Sequence, residues 1–77
     1  MLTLYSTLGC HLCEHAKAVM ANCLEEGTVL DEVDIADDEA LMEAYGIRIP
    51  VVKDPRSGKE IGWPFDETQF NAWLRAL

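Results

Sequence analysis

The chain has 77 residues, fourteen acidic against six basic side chains, a net charge of −8, and three cysteines. That length makes one domain, residues 1–77, with a thin core. The acidity argues against nucleic acid as a partner, no apolar run approaches the ~18 residues of a membrane span, and an odd count of three cysteines does not suit a disulfide-stapled secreted scaffold. Met1 runs directly into strand-like sequence, without a basic start or an apolar signal core, so a cytoplasmic location is expected, with no membrane contact. In such a compartment thiols serve redox or metal chemistry rather than staples. The excess of carboxylates reads either as solubility or as complementarity to a basic partner.

In chain order, Leu2 to Ser6 reads as a strand able to serve both faces of a sheet. Thr7-Leu8-Gly9 is a loop. A helix then runs from Cys10 or His11 to about Glu25, with Leu12, Ala16, Val19, Met20, Cys23 and Leu24 as one apolar stripe and Gly27 as its stop. Thr28 to Ile35 reads as a second strand, so charged that it suits a sheet edge. Asp37-Asp38-Glu39 opens a short helix with Leu41, Met42, Ala44 and Tyr45 as its apolar members, closed by Gly46. Pro50 belongs at the start of a third strand, because it has no N–H for the ladder. Asp54-Pro55-Arg56-Ser57-Gly58 is a turn, and Lys59 to Gly62 returns as a fourth strand. Asp66 caps the last helix, with Gln69 three later as in a capping box and Phe70, Trp73, Leu74 and Leu77 as its stripe. The order β-α-β-α-β-β-α predicts a right-handed parallel crossover, then an antiparallel hairpin: a four-stranded mixed sheet between helices, an α/β fold of three layers.

The chemistry concentrates in Cys10-His11-Leu12-Cys13. Two cysteines three apart at a helix start are spaced to close a small disulfide ring. Free amides and the helix dipole there favour the thiolate, which is the nucleophile. The pair therefore reads as a thiol–disulfide centre; a metal or cluster ligand pair and inert thiols are the alternatives. Cys10 and Cys13 with His15 supply at most three nearby ligands, whereas structural zinc takes four. A cluster bridged between two chains stays open, and neither a metal nor an organic cofactor is expected. Cys23 lies ten residues beyond Cys13, about 15 Å along a helix, out of range for a disulfide, and reads as core filler. His11 is either a thiolate-tuning imidazolium or a solvated loop residue. His15 and Glu14 are expected to face water.

Three features together resemble the thioredoxin fold, and a small bacterial glutaredoxin-like family in particular. Cys10-His11-Leu12-Cys13 follows the first strand. Ile49-Pro50 opens the third. Glu32-Val33-Asp34-Ile35, an acidic helix and Tyr45-Gly46-Ile47 are similar to the middle of glutaredoxins. The resemblance spans essentially the whole chain. It implies a thioredoxin-like βαβαββα architecture, a cis bond at Ile49–Pro50 beside the cysteines, and a thiol–disulfide oxidoreductase with Cys10 and Cys13 as catalytic residues. Cys10, ahead of the helix, would attack a substrate disulfide, and Cys13 would resolve the mixed disulfide. Arg48, Ile49 and Pro50 would bind substrate, with Arg48 near the sulfurs as thiolate stabiliser or carboxylate anchor, or else a solvated loop residue.

The chain departs from the glutaredoxin pattern in three places. It has Cys10-His11-Leu12-Cys13 where glutaredoxins commonly carry C-P-Y-C, and Arg48-Ile49-Pro50 in place of T-V-P. Gly62-Trp63-Pro64-Phe65-Asp66 replaces the glycine pair and acidic residues that hold glutathione. Trp63 and Phe65 either close the end of the sheet or roof that groove. Protein or small-molecule disulfides are the expected partners, with glutathione bound weakly and the protein acting as a monomer.

Overall fold

A computed structural model describes all of residues 1–77. Its elements are β1 (Leu2–Ser6), α1 (His11–Ala21), β2 (Leu30–Asp34), a single 3-10 turn (Ile35–Asp37), α2 (Glu39–Tyr45), β3 (Val51–Lys53), β4 (Glu60–Gly62) and α3 (Glu67–Arg75). The sheet order is β2-β1-β3-β4. β1 runs parallel to β2 and antiparallel to β3, and β3–β4 is an antiparallel hairpin. This is the mixed four-stranded α/β sheet of a thioredoxin-like fold, and β2 is an edge strand.

The period of two along β1 divides the interior. Leu2 and Leu4 face α1 and α3, where they join Ala16, Met20, Val52, Phe65 and Phe70. On the other face Val51 joins Ile35 and Tyr45, with Tyr5, Leu41 and Ile49 packed around them. The first core is larger and is edged by an aromatic chain. Trp63 meets Phe65 edge-on at 5.1 Å, Phe65 stacks on Phe70 at 5.2 Å, and Phe70 tilts against Trp73 at 5.7 Å. Trp63 and Phe65 therefore close this end of the sheet.

Local signals set most boundaries. Asp38 caps α2 by accepting from the Ala40 and Leu41 amides at 2.9 and 3.1 Å. Asp66 and Gln69 form the full capping box of α3, at 2.7 and 2.9 Å. Asp54 organises the hairpin turn, accepting from the Ser57 hydroxyl at 2.8 Å and the Arg56 amide at 3.3 Å. These hydrogen bonds hold the Asp54 carboxyl below its ordinary range, the Ser57 hydroxyl bond foremost. Gly46 ends α2 where a Cβ would run into the Met42 carbonyl oxygen.

Several expectations need correction. α1 ends at Ala21, not Glu25, because the Asn22 and Cys23 amides turn back to the Val19 and Met20 carbonyls. Cys23 thus lies in the turn after the helix, half-buried instead of fully in the core. Leu12, placed on the apolar stripe, is 51% exposed, because the buried face of α1 runs through Cys13, Ala16 and Met20 and leaves Leu12 at its margin. β2 begins at Leu30, leaving Val29 exposed, and ends at Asp34, whose carboxylate caps the Ala36 amide at 2.9 Å and starts the 3-10 turn. Leu30 packs on the larger core. In α2 Met42 and Ala44 face water, and only Leu41 and Tyr45 turn inward. In α3 the helix ends before Leu77, which is exposed.

Candidate redox site

β1 delivers the chain to the end of the sheet where the cysteines sit. The Thr7 carbonyl accepts from the Cys10 amide at 3.4 Å, and Gly9 takes φ 76°, a conformation that costs a side-chain-bearing residue about 1 kcal/mol or more. That turn aims Cys10 into the N-cap position of α1, with extended backbone (φ −81°, ψ 101°). Cysteine thereby does what serine or aspartate does elsewhere: its Sγ accepts the Cys13 amide at 3.1 Å. Cys13, in the first turn, is 2% exposed, whereas Cys10 is half-buried. The two sulfurs are joined in a disulfide, with Cα atoms 5.3 Å apart. One sulfur faces outward at the positive end of a helix and the other lies beneath it. When the bond is reduced, the same amide and helix field stabilise a thiolate on Cys10.

The neighbouring wall comes from the start of β3. Tyr5 pairs with Val51, so Pro50 lies beside the last residues of β1. Pro50 is buried, and the Ile49–Pro50 bond is cis; a second cis bond, not anticipated, precedes Pro64. The polar groups of this wall are bonded inward. The Arg48 and Ile49 amides both donate to the Tyr45 carbonyl, at 2.8 and 3.1 Å, and the Trp63 amide donates to the Pro50 carbonyl at 3.0 Å. The Ile49 side chain packs on the smaller core.

Arg48 is engaged elsewhere. Its Nη2 lies 3.1 Å from Glu60 Oε1, its Nη1 donates to the Ala44 carbonyl at 3.5 Å, and its guanidinium sits over the Tyr45 ring at 5.2 Å. The Tyr45 hydroxyl donates to the other oxygen of Glu60. Tyr45 also stacks on Tyr5 at 4.4 Å. The hydrogen bond to Glu60 pushes the Tyr45 hydroxyl up to about 12, and the same bond, with Arg48, holds the Glu60 carboxyl below its ordinary range.

On the other side of the cysteine loop lies a cleft of about 400 Å³, lined by Ser6, Thr7, Leu8, Gly9, Glu14, Lys17, Glu32 and Asp34. Ser6 donates to Glu32 at 2.9 Å, and Lys17 bridges Glu14 at 3.0 Å and Glu32 at 3.4 Å. Neither Glu32 nor Glu60 was singled out from the sequence as part of the site. Their roles depend on strand register, which places Leu4 beside Glu32 and Lys53 beside Glu60. His11, His15 and Glu14 are exposed. No three His, Cys, Asp or Glu side chains are gathered as a metal site. A larger cleft, about 750 Å³, lies between the far ends of α1 and α3; it includes Cys23, Arg56 and Arg75, but neither member of the disulfide.

Among solved structures, an X-ray structure of the structural genomics target XcR50 from X. campestris is 44% identical, with TM-score 0.90, covering 100% of this chain and 99% of that one. A solution structure of the same target is 45% identical, with TM-score 0.86 over 99% and 94%. The protein Ne2328 from Nitrosomonas europaea is 28% identical, with TM-score 0.78 over 94% and 87%. No curated protein matches the sequence significantly. Residues 1–75 match the Glutaredoxin-like domain (DUF836), and over nearly its whole length the chain belongs to that family.

Proposed function

We propose that the protein is a dithiol–disulfide oxidoreductase acting on protein or small-molecule disulfides, as a single chain in a reducing cytoplasm. One observation carries the reading: Cys10 caps α1 with its sulfur on the Cys13 amide, while Cys13 is buried directly behind it. In the reduced protein the Cys10 thiolate attacks one sulfur of a substrate disulfide. That S–S bond breaks, and the leaving thiolate takes a proton from water. Cys13, deprotonated, then attacks Cys10 Sγ, forming the Cys10–Cys13 bond and releasing the second substrate thiol. Two electrons pass to the substrate, and an external thiol donor restores the dithiol.

The half-buried Ile49 offers the apolar wall against which the substrate disulfide rests, and the buried Pro50 beneath it fixes that wall in place. Glutathione is a poor substrate in this reading. The Arg48 and Ile49 amides are occupied by Tyr45, and the Arg48 guanidinium is occupied by Glu60. Equilibration of the protein in glutathione redox buffers, read by the fluorescence of Trp63 and Trp73 and by thiol trapping, tests the function. A single two-electron transition confined to Cys10 and Cys13 is expected. A pair that stays oxidised or reduced at every accessible poise sinks the reading, and turnover of a glutathione mixed disulfide at ordinary glutaredoxin rates sinks its substrate clause.

A further inference from the structure

The chain carries only six basic side chains; Lys17 lines the cleft beside Gly9 and the cysteine loop, and Arg48 lies two residues before Pro50. Both are neutralised. Lys17 is held between Glu14 and Glu32. Arg48 is turned toward Glu60, and the strand register shows where that leads. Val51 pairs with Gly62 and Lys53 with Glu60, while Trp63 bonds Pro50. Glu60 is therefore three positions down β4 from the level of Pro50, roughly 10 Å at the rise of a strand. The guanidinium is drawn along the α2 face, away from the sulfurs.

An exposed ion pair alone holds an arginine weakly. Here the Tyr45 ring, the Ala44 carbonyl and a Glu60 carboxylate fixed by the Tyr45 hydroxyl act on the same group. When the side chain swings free, the charge of Glu60 still weakens its field at low salt. Asp34 adds a carboxylate to the cleft by the cysteine loop.

We propose that the redox site selects disulfides by charge, favouring cationic and neutral ones over those bearing carboxylates, and that Glu60 is a specificity-determining residue because it draws Arg48 off the site. This rests on the oxidoreductase reading above and names its substrate class. The partner chemistry is a disulfide flanked by ammonium or guanidinium groups, as on a basic polypeptide. Anionic disulfides meet a cleft in which three carboxylates, Glu14, Glu32 and Asp34, outnumber the one ammonium of Lys17, itself held in ion pairs.

The test uses pre-reduced protein in single turnover with three small disulfides: cystamine (dication), bis(2-hydroxyethyl) disulfide (neutral) and 3,3′-dithiodipropionate (dianion). Each rate is divided by that of the same disulfide with dithiothreitol, which removes intrinsic reactivity. At about pH 8, where imidazole side chains carry little charge, the normalised rate for cystamine should exceed that for the dianion by roughly tenfold at low salt. The gap should close in about 1 M salt, where the Debye length is about 3 Å.

In E60Q and E60A the dianion should gain several-fold relative to the neutral disulfide, and the added substitution R48A should abolish the gain. Equal normalised rates in the parent protein overturn the charge selection. A gain in the Glu60 variants shared equally by the neutral disulfide, or one that survives R48A, overturns the role of Glu60. Failure to reduce even the neutral disulfide overturns the oxidoreductase reading, and this inference with it, and is distinguishable from a flat charge ranking.

Discussion

The two ends of α1 hold the same side chain in opposite chemical settings. At the N-terminal end, Cys10 receives an amide hydrogen bond and the positive end of the helix, with a second sulfur at bonding distance. Past the C-terminal end, Cys23 points its sulfur at the Glu67 carbonyl, 3.7 Å away, and burial together with the Glu67 carboxylate pushes its thiol above its ordinary range. Both cysteines are half-buried, so exposure does not separate them. The direction of the local field does: one position rewards a negative sulfur and the other penalises it.

Removing the nucleophile breaks this contrast most completely. Cys10→Ser should lower disulfide reduction by several orders of magnitude, as loss of a catalytic nucleophile does. Cys13→Ser should still react once and then accumulate the mixed disulfide on Cys10, visible by mass spectrometry. Trapping in Cys10→Ser instead would reverse the two roles.

A milder probe sharpens the same contrast. In the reduced protein at about pH 7, iodoacetamide should label Cys10 at least roughly tenfold faster than Cys23, because the thiolate is the reacting form. Labelling of Cys23 should climb only at a pH above the ordinary range of a free thiol, since burial and Glu67 raise its folded-state value. Equal rates at neutral pH, followed by peptide mapping, would refute the field argument.

The smallest effect is expected at the far end. Cys23→Ser should leave single-turnover rates within about twofold and cost about 1 kcal/mol or less in a urea melt, as a partly buried thiol becomes a hydroxyl. A large loss of turnover would make Cys23, not Cys13, the resolving partner.

The elements announced in the sequence were those with their own punctuation. Asp66 with Gln69, Asp38, Gly46 and Pro50 each mark a boundary by a local rule, and the structure keeps each boundary. The end of α1 was misjudged because Cys23 and Leu24 do pack on the core, so the apolar stripe outlasts the helix. Leu12 reads as core by spacing, yet the buried face of α1 is centred on Cys13, Ala16 and Met20, one position round the helix. The cysteine pair was legible because both members lie within one helical turn. The partners of Arg48 and Ser6 were not, because Glu60 and Glu32 reach them only through pairings across the sheet, set by the whole fold rather than by neighbours in sequence.

The outer edge of β2 has a consequence for the protein in concentrated solution. A terminal strand offers a row of unsatisfied amides and carbonyls to any similar strand it meets, and charge is one way of keeping such rows apart. Asp31, Glu32 and Asp34 place three carboxylates on a strand of only five residues. Near the isoelectric point of about 4.4 the repulsion between whole molecules is weakest, and edge-to-edge contact then meets the least resistance. The acidic sequence of β2 thus keeps like edges from registering on one another while the molecule retains its net negative charge.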